Sequence, residues 1–361
     1  MSNKYLNFAA GPSMIPECVL KKAQKALINY ENTGKSVLEL SHRCKEVMEL
    51  IDKTQNNLRK LLDIPDNYRI IFLQGGGTGQ FASIPMNLLS SQDKADYIIT
   101  GYWSKAAYEE AKRINADVHI AYNTEGTKYK TINLDNLSIN PSSRYVYYCD
   151  NETVNGLEYQ NIPKTSVPLV VDMSSNLLSK PIDVSKYGLI YACTQKNCGI
   201  TGMSIVIIRD DLIEYSQNST PSIFNFKLME KNNSCYNTAP IFSIYMCNLM
   251  LEWMIDNGGV YQMEKNNIQK SSALYSYIDG SNFYYNDVNP IYRSRMNVIL
   301  NIKNTSLEKE FITQAQIHNI IGIEGHRSVG GIRVSLYNSI SMDDVDKLIQ
   351  FMENFKLQYS I

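Results

Sequence analysis

Short apolar segments alternate with helix-forming stretches over the first two thirds of the chain, and this alternation constrains its fold more than anything else in it. The segments are YRIIFL (68–73), DYIIT (96–100), DVHIAY (117–122), RYVYYC (144–149), PLVVDM (168–173), YGLIYAC (187–193) and MSIVIIR (203–209). They have strand length and are rich in β-branched and aromatic residues. Most carry apolar side chains at consecutive positions, so neither side suits water. Strands of that kind need helices on both faces, which predicts an α/β fold around a mostly parallel sheet.

The intervening stretches suit helices. Pro16 can open a first helix, with Val19, Leu20, Ala23, Ala26 and Leu27 at helical spacing and Gly34 as a stop; a turn at Gly11-Pro12 precedes it. A second helix is predicted from about Lys45 to Leu61, with Val47, Leu50, Ile51, Leu58 and Leu61 on one side. GGGTGQF opens a third, and another runs through Ala106 to Arg113. Beyond about residue 260 the pattern changes. RSRMNVILNI and GGIRVSLYN suit strands of a smaller α+β unit, closed by a helix from Met342 to Phe355 with Ser341 as its N-cap. With a boundary at the Gly258-Gly259 pair, we expect a large domain over 16–258 and a small one over 1–15 and 259–361.

The charge balance removes some classes of function. With 35 basic and 36 acidic residues the net charge is −1, so no broad field favours a polyanion, and any phosphate must be held locally. The first residues lack the charged and apolar blocks of a secretory signal, and no apolar run approaches the roughly 20 residues of a membrane span. Seven cysteines at irregular spacing, with no Cys-x-x-Cys pair, suit reduced thiols in a cytosolic protein and argue against a disulfide framework or a metal site.

Six segments carry candidate chemistry. In YACTQKNCGITG, Lys196 follows a buried strand, where α/β sheets place their ligands and an amine can serve as a nucleophile toward carbonyls; a solvated loop lysine is the plainer alternative. Asp172 ends PLVVDM, at the same end of the sheet, where a carboxylate can pair with a protonated pyridine nitrogen; a turn or cap aspartate is the alternative. QGGGTGQF follows a strand and opens a helix, which suits an anion. No acidic residue ends the next strand, so the loop fits a single phosphate better than a dinucleotide. Trp103 in GYWSK sits at a strand–helix junction, where its ring can stack on a flat ligand. Two His-Arg pairs, in SHR (41–43) and GHRSVGGIR (325–333), and Arg333 in the second are candidates for gripping carboxylate or phosphate; solvated surface arginine is the alternative.

NFAAGPSMIP, LELSHR, QGGGTGQF, DNETVNGLEY, VDMSSNLLSKPIDVSKYGLIYACTQKN, NTAPIFSIY and GHRSVGGIRVSLYN span nearly the whole chain. Together they resemble the phosphoserine aminotransferase family of class-V aminotransferases. The resemblance implies the aspartate-aminotransferase-like fold type I, with a mixed, mostly parallel seven-stranded sheet, a homodimer, and pyridoxal 5'-phosphate as cofactor. It implies that Lys196 is the Schiff-base lysine and that Asp172 partners the ring nitrogen. Trp103 would stack on the ring and Thr153 would bond near its phenolic oxygen. Gly77, Thr78 and Gln195 would cup the phosphate, joined by Asn237 and Thr238 of the other subunit. Arg333 would hold the substrate α-carboxylate. His42 and Arg43, with His326 and Arg327 of the other subunit, would hold the distal phosphate or the side-chain carboxylate of glutamate.

The activity so implied is ping-pong transamination between glutamate and 3-phosphohydroxypyruvate in serine biosynthesis, in the cytoplasm. The chain departs from the family's pattern at CGITG after Lys196 and at Asp150 and Asn155 around the NET motif, departures expected to tune loops near the site. Two other readings exist. A cysteine desulfurase or another small-substrate aminotransferase would share the fold, but no cysteine lies in an obvious mobile Gly/Ser-rich loop. A non-catalytic binder of the cofactor or of phosphate would not need both Lys196 and Asp172.

Overall fold

The structure, a computed structural model, describes residues 5–360, so residues 1–4 and 361 of the expected small domain lie outside the described residues. Along the chain come strand β1 (Leu6–Asn7), helices α1 (Glu17–Ile28) and α2 (Lys45–Leu62), β2 (Tyr68–Leu73), α3 (Gly76–Leu88), β3 (Lys94–Ile99), α4 (Tyr102–Arg113) and β4 (Asp117–Asn123). Then follow β5 (Val146–Cys149), the short pair β6 (Asn151–Glu152) and β7 (Leu157–Glu158), β8 (Leu169–Asp172), β9 (Leu189–Cys193), β10 (Ser204–Arg209), α5 (Asp210–Glu214), α6 (Phe226–Lys231), α7 (Ile241–Asp256) and α8 (Gly259–Asp279). The chain closes with β11 (Tyr284–Tyr285), β12 (Asn297–Ile302), α9 (Glu308–Ile317), β13 (Ile320–Ile321), β14 (Ile332–Ser335) and α10 (Met342–Tyr359).

All seven apolar segments become strands of one sheet, in the order β2-β10-β9-β8-β5-β3-β4. Five neighbours, β9 through β4, pair in parallel, while β10 runs antiparallel to both β9 and β2. The link from Cys193 to Ser204 is too short for a helical crossover, so the chain can only turn back on itself there. That turn carries Lys196.

Helices cover both faces. On one side Ile84 and Leu88 of α3 and Ala107 and Ala111 of α4 pack with Tyr97, Leu189 and Tyr191; on the other, Leu50, Ile51 and Leu58 of α2 and Leu251 and Met254 of α7 pack with Ile190 and Ala192. Successive residues of β9 therefore alternate between two apolar layers, as the pleat requires. The first helix differs from expectation. Val19, Ala23 and Ala26 are buried, but Leu20 is 48% and Leu27 38% exposed, so its inward stripe is narrower than the spacing suggests.

The C-terminal part forms an antiparallel sheet in the order β11-β12-β14, and β1 pairs in parallel with β13. Phe8, Leu274, Val298, Leu300, Ile332 and Phe351 share a separate apolar cluster there. Helix α10 starts at Ser341, whose hydroxyl accepts from the Asp344 amide at 3.1 Å, the expected cap. It ends one turn later than predicted, at Tyr359, whose ring lies 4.5 Å from that of Phe355.

Candidate active site

Parallel strands end at the same edge of a sheet, and so do the loops that follow them. Gly77 and Thr78 follow β2, Trp103 follows β3, Thr153 follows β5, Asp172 closes β8, and Gln195 and Lys196 follow β9; all seven line one cleft with an empty volume of about 490 Å³.

The Lys196 turn is fixed by its backbone. The Ser13 amide donates to the Gln195 carbonyl at 2.9 Å, and the Ser13 hydroxyl donates to the Lys196 carbonyl. Gly11 lies so close that an added Cβ would meet Gln195 Cγ at 3.4 Å. Beyond the turn, Gly199 has φ of 144° and passes the backbone of α7, where a Cβ would lie 3.3 Å from the Cys247 nitrogen, so the CGITG segment needs its glycine for close approach. The amine itself is left to the cleft: Lys196 Nζ donates to Thr153 Oγ1 at 2.8 Å.

Asp172 is buried and held at both oxygens. Oδ1 accepts from the Ser174 amide and Oδ2 from the Tyr191 hydroxyl, each at 2.7 Å. Ser174 also ties β8 to β9, accepting at its hydroxyl from the Cys193 amide at 3.1 Å. Helix α3 begins at Gly76 after the left-handed Gly75, with no side chain capping it and no acidic residue in its first turn. Its first amides keep their positive end toward the cleft, which suits an anion.

Trp103 sits in the first turn of α4, and that turn is held by the NET segment. The buried Glu152 carboxylate accepts from the Trp103 and Ser104 amides at 2.9 Å each and from the Ser104 hydroxyl at 2.6 Å. Burial holds this carboxyl up at about 6, against those hydrogen bonds, which favour its charge. Gly101 passes so close that an added Cβ would sit 2.4 Å from Glu152 Cδ. Asn155 Oδ1 accepts from the Tyr102 amide at 2.9 Å, so one family departure helps to cap the helix that carries Trp103. The other, Asp150, is buried against Asn176 and Lys180, at 2.6 and 3.6 Å.

The remaining predicted residues lie outside the cleft lining. Arg333 projects from β14 and is half-buried, and its Nε is buried without a hydrogen-bond partner among the described residues. The His326 ring lies 4.7 Å from that of Tyr102 and 6.4 Å from that of Trp103 in the same chain. Burial first, then the charges of Arg333 and Arg327, holds that imidazole below its ordinary value, so it is neutral at neutral pH. Arg43 is exposed in the turn before α2, and His42 is partly exposed. Thr238 is exposed too, and its carbonyl accepts from Gln74 Nε2 at 3.0 Å. Asn237 beside it does not reach the cleft. Among the described residues no cluster suited to a metal ion is present.

The sequence pattern of the family described as Aminotransferase class-V matches residues 5–348. The chain belongs to the class-V aminotransferases. It is 44% identical to the phosphoserine aminotransferase of Nitrosomonas europaea over 99% of this chain and 100% of that one, and 48% identical to the probable phosphoserine aminotransferase of Dictyostelium discoideum over 97% and 96%. Among solved structures, the phosphoserine aminotransferase of Bacillus circulans subsp. alkalophilus superposes with a TM-score of 0.96 at 40% identity, covering 99% of each chain. That of Trichomonas vaginalis, solved with PLP bound, superposes with a TM-score of 0.93 at 38% identity, covering 97% of this chain and 100% of that one.

Within this class-V aminotransferase, the sequence reading missed several residues of the cleft and its supports. Asn151 lines it and bridges two layers, donating to Ser175 Oγ and Asn297 Oδ1 at 2.7 Å each; its place in the NET motif is a signal that could have found it. Ser174 and Ser175, just beyond Asp172 in VDMSSN, were open to the same inference. Tyr191 offered none, because a tyrosine inside an apolar strand looks like core.

Proposed function

We propose that this class-V aminotransferase interconverts 3-phosphohydroxypyruvate plus L-glutamate and O-phospho-L-serine plus 2-oxoglutarate, as a step toward L-serine, with pyridoxal 5'-phosphate as cofactor. One observation carries the reading: a single cleft holds a lysine amine, a fixed buried carboxylate, an indole and an uncapped helix start, in a chain similar over its whole length to phosphoserine aminotransferases.

The residues fit the cofactor. Asp172 is turned toward the cleft with both oxygens already oriented, as a protonated ring nitrogen needs. The first turn of α3 offers amides to a phosphate. Trp103 offers a ring face, and its Nε1 is buried without a partner among the described residues. When bound, pyridoxal 5'-phosphate supplies an aldehyde that exchanges amines and a ring that draws off electrons released at the substrate Cα. Lys196 would hold that aldehyde carbon, and its amine, when free, would be the group that carries the substrate Cα proton. Thr153, 2.8 Å from the amine, orients it. Arg333 grips the α-carboxylate, a role supported by its buried, unpaired Nε. His42, Arg43, His326 and Arg327 grip the distal anion. The kinetics are ping-pong.

The division of labour among the cations is testable with two amino donors. Arg327→Ala should lower kcat/KM for phosphoserine by roughly 10²-fold, the order expected for one charge-assisted contact. With alanine, which has no distal anion, it should stay within about twofold. Equal losses on both donors would remove Arg327 from the distal site.

The assembly we propose is a homodimer in which Asn237 and Thr238 complete the partner's phosphate site. The exposure of Thr238, away from its own cleft, supports this. Sedimentation should therefore give twice the chain mass of 41.1 kDa, and dilution to monomer should release the cofactor. A monomer that keeps it would contradict the shared site. We also infer a large domain over 16–258 and a small one over 1–15 and 259–361, supported by the separate apolar cluster around Phe8 and Val298. A cytoplasmic location is supported by free cysteines throughout; no described helix is long and apolar enough to cross a membrane.

A further inference from the structure

Beneath Asp172 the sheet carries a feature that substrate and cofactor binding do not account for. Tyr147 of β5, Asp172 of β8 and Tyr191 of β9 stand on three adjacent strands, with Asp172 in register with Tyr191. Both tyrosines pack on the α3/α4 side of the sheet, and their hydroxyls lie 2.7 Å apart. The Tyr191 hydroxyl lies 2.7 Å from Asp172 Oδ2. A carboxylate has no proton to give, so the order is fixed: Tyr147 donates to Tyr191, and Tyr191 donates to Asp172. Burial first, and the charge of Asp172 next, pushes both phenols well above the ordinary tyrosine value, so neither gives up its proton at any working pH.

A buried phenol needs a partner, and a backbone carbonyl would serve. Here the partner is the sole carboxylate among the described residues lining the cleft. We propose that Tyr191, backed by Tyr147, is a positioning residue that sets where the proton shared by Asp172 and the cofactor's ring nitrogen resides. The inference rests on the reading of the cleft given above.

The sign follows from hydrogen bonding. A donor aimed at the carboxylate favours its charged form, and a second donor behind the first polarises it further. With Tyr191 in place the shared proton stays on the ring, and the ring draws electrons well. Without it the carboxylate holds the proton more strongly, the ring becomes more nearly neutral, and Cα–H cleavage slows. Substrate grip is untouched, because neither phenol lines the cleft.

The experiment uses the holoenzyme carrying cofactor labelled with ¹⁵N in the ring. Tyr191→Phe should move the ring ¹⁵N resonance toward that of a neutral pyridine and lower kcat roughly tenfold, about 1.4 kcal/mol of barrier. KM for phosphoserine and for 2-oxoglutarate should stay within about twofold, since a loss on the chemical step alone leaves uniform binding intact. Tyr147→Phe keeps the direct bond to Asp172 and should shift the resonance the same way by less; it carries the test by itself if Tyr191→Phe does not fold. An unmoved resonance in the folded variants would overturn the proposal. So would a fall in kcat accompanied by an equal rise in both KM values, the mark of a merely structural role. Failure of the parent protein to bind the labelled cofactor would instead overturn the reading of the cleft itself.

Discussion

Lys196→Ala is expected to leave a folded protein without measurable transamination. The turn around Lys196 is held by main-chain contacts, the Ser13 amide on the Gln195 carbonyl and the Ser13 hydroxyl on the Lys196 carbonyl, and alanine keeps both. The amine contributes one hydrogen bond, to Thr153, and otherwise faces the cleft. Its removal deletes the cofactor anchor and the proton carrier together, because one nitrogen performs both tasks. The loss in kcat should reach about 10⁵-fold, close to 7 kcal/mol of barrier. Borohydride treatment of the parent should fix the cofactor to the peptide containing Lys196, and the variant should take up no label. Label on another lysine, or a variant that turns over at even a hundredth of the parental rate, would show that the amine lies elsewhere.

Strands were the easiest part to read ahead of the structure, and the reason is burial. β2 and β9 are apolar at consecutive positions because helices cover both sides of the sheet, so the sequence marks them without ambiguity. The ends of such strands then mark the cleft, which is why Lys196, Asp172, Trp103 and Gly77 could be picked out from position and side-chain type together. Contacts across the sheet could not. Whether Glu152 caps the helix of Trp103, or Ser13 braces the Lys196 turn, depends on which loops meet, and strand order decides that. Tyr191 was invisible for a different reason: its phenol is buried and its neighbours are apolar, and only the register of β8 with β9 brings it to Asp172. Leu20 and Leu27 failed in the opposite sense, since helical spacing records a stripe but not how wide a partner surface will cover it.

Asp172→Asn should keep the fold and the cofactor yet lower kcat by about 10³-fold, close to 4 kcal/mol of barrier. Asparagine has nearly the shape of aspartate: its amide oxygen can accept from the Ser174 amide, and its NH2 can donate to the Tyr191 hydroxyl, whose own proton then turns to Tyr147, so the end of β8 has no reason to move. What it loses is charge. A neutral amide cannot hold a proton on a pyridine nitrogen in a buried site, where an isolated charge is costly, so the ring would sit neutral and draw electrons poorly. Binding should change little, because the α-carboxylate and distal anion are held by other groups. The fall should therefore appear in kcat, with KM for phosphoserine within about threefold. Single-turnover absorbance would place the slow step at Cα–H cleavage, and deuterium at Cα should then slow it further. A control separates charge from shape. Asp172→Ala given a cofactor analogue methylated on the ring nitrogen has a permanent positive charge and room for the methyl group. It should recover part of the lost rate, whereas the same variant with the ordinary cofactor should not. A rate for Asp172→Asn within a few-fold of the parent would mean that this carboxylate does not govern the ring, and the cleft would need another explanation for burying it.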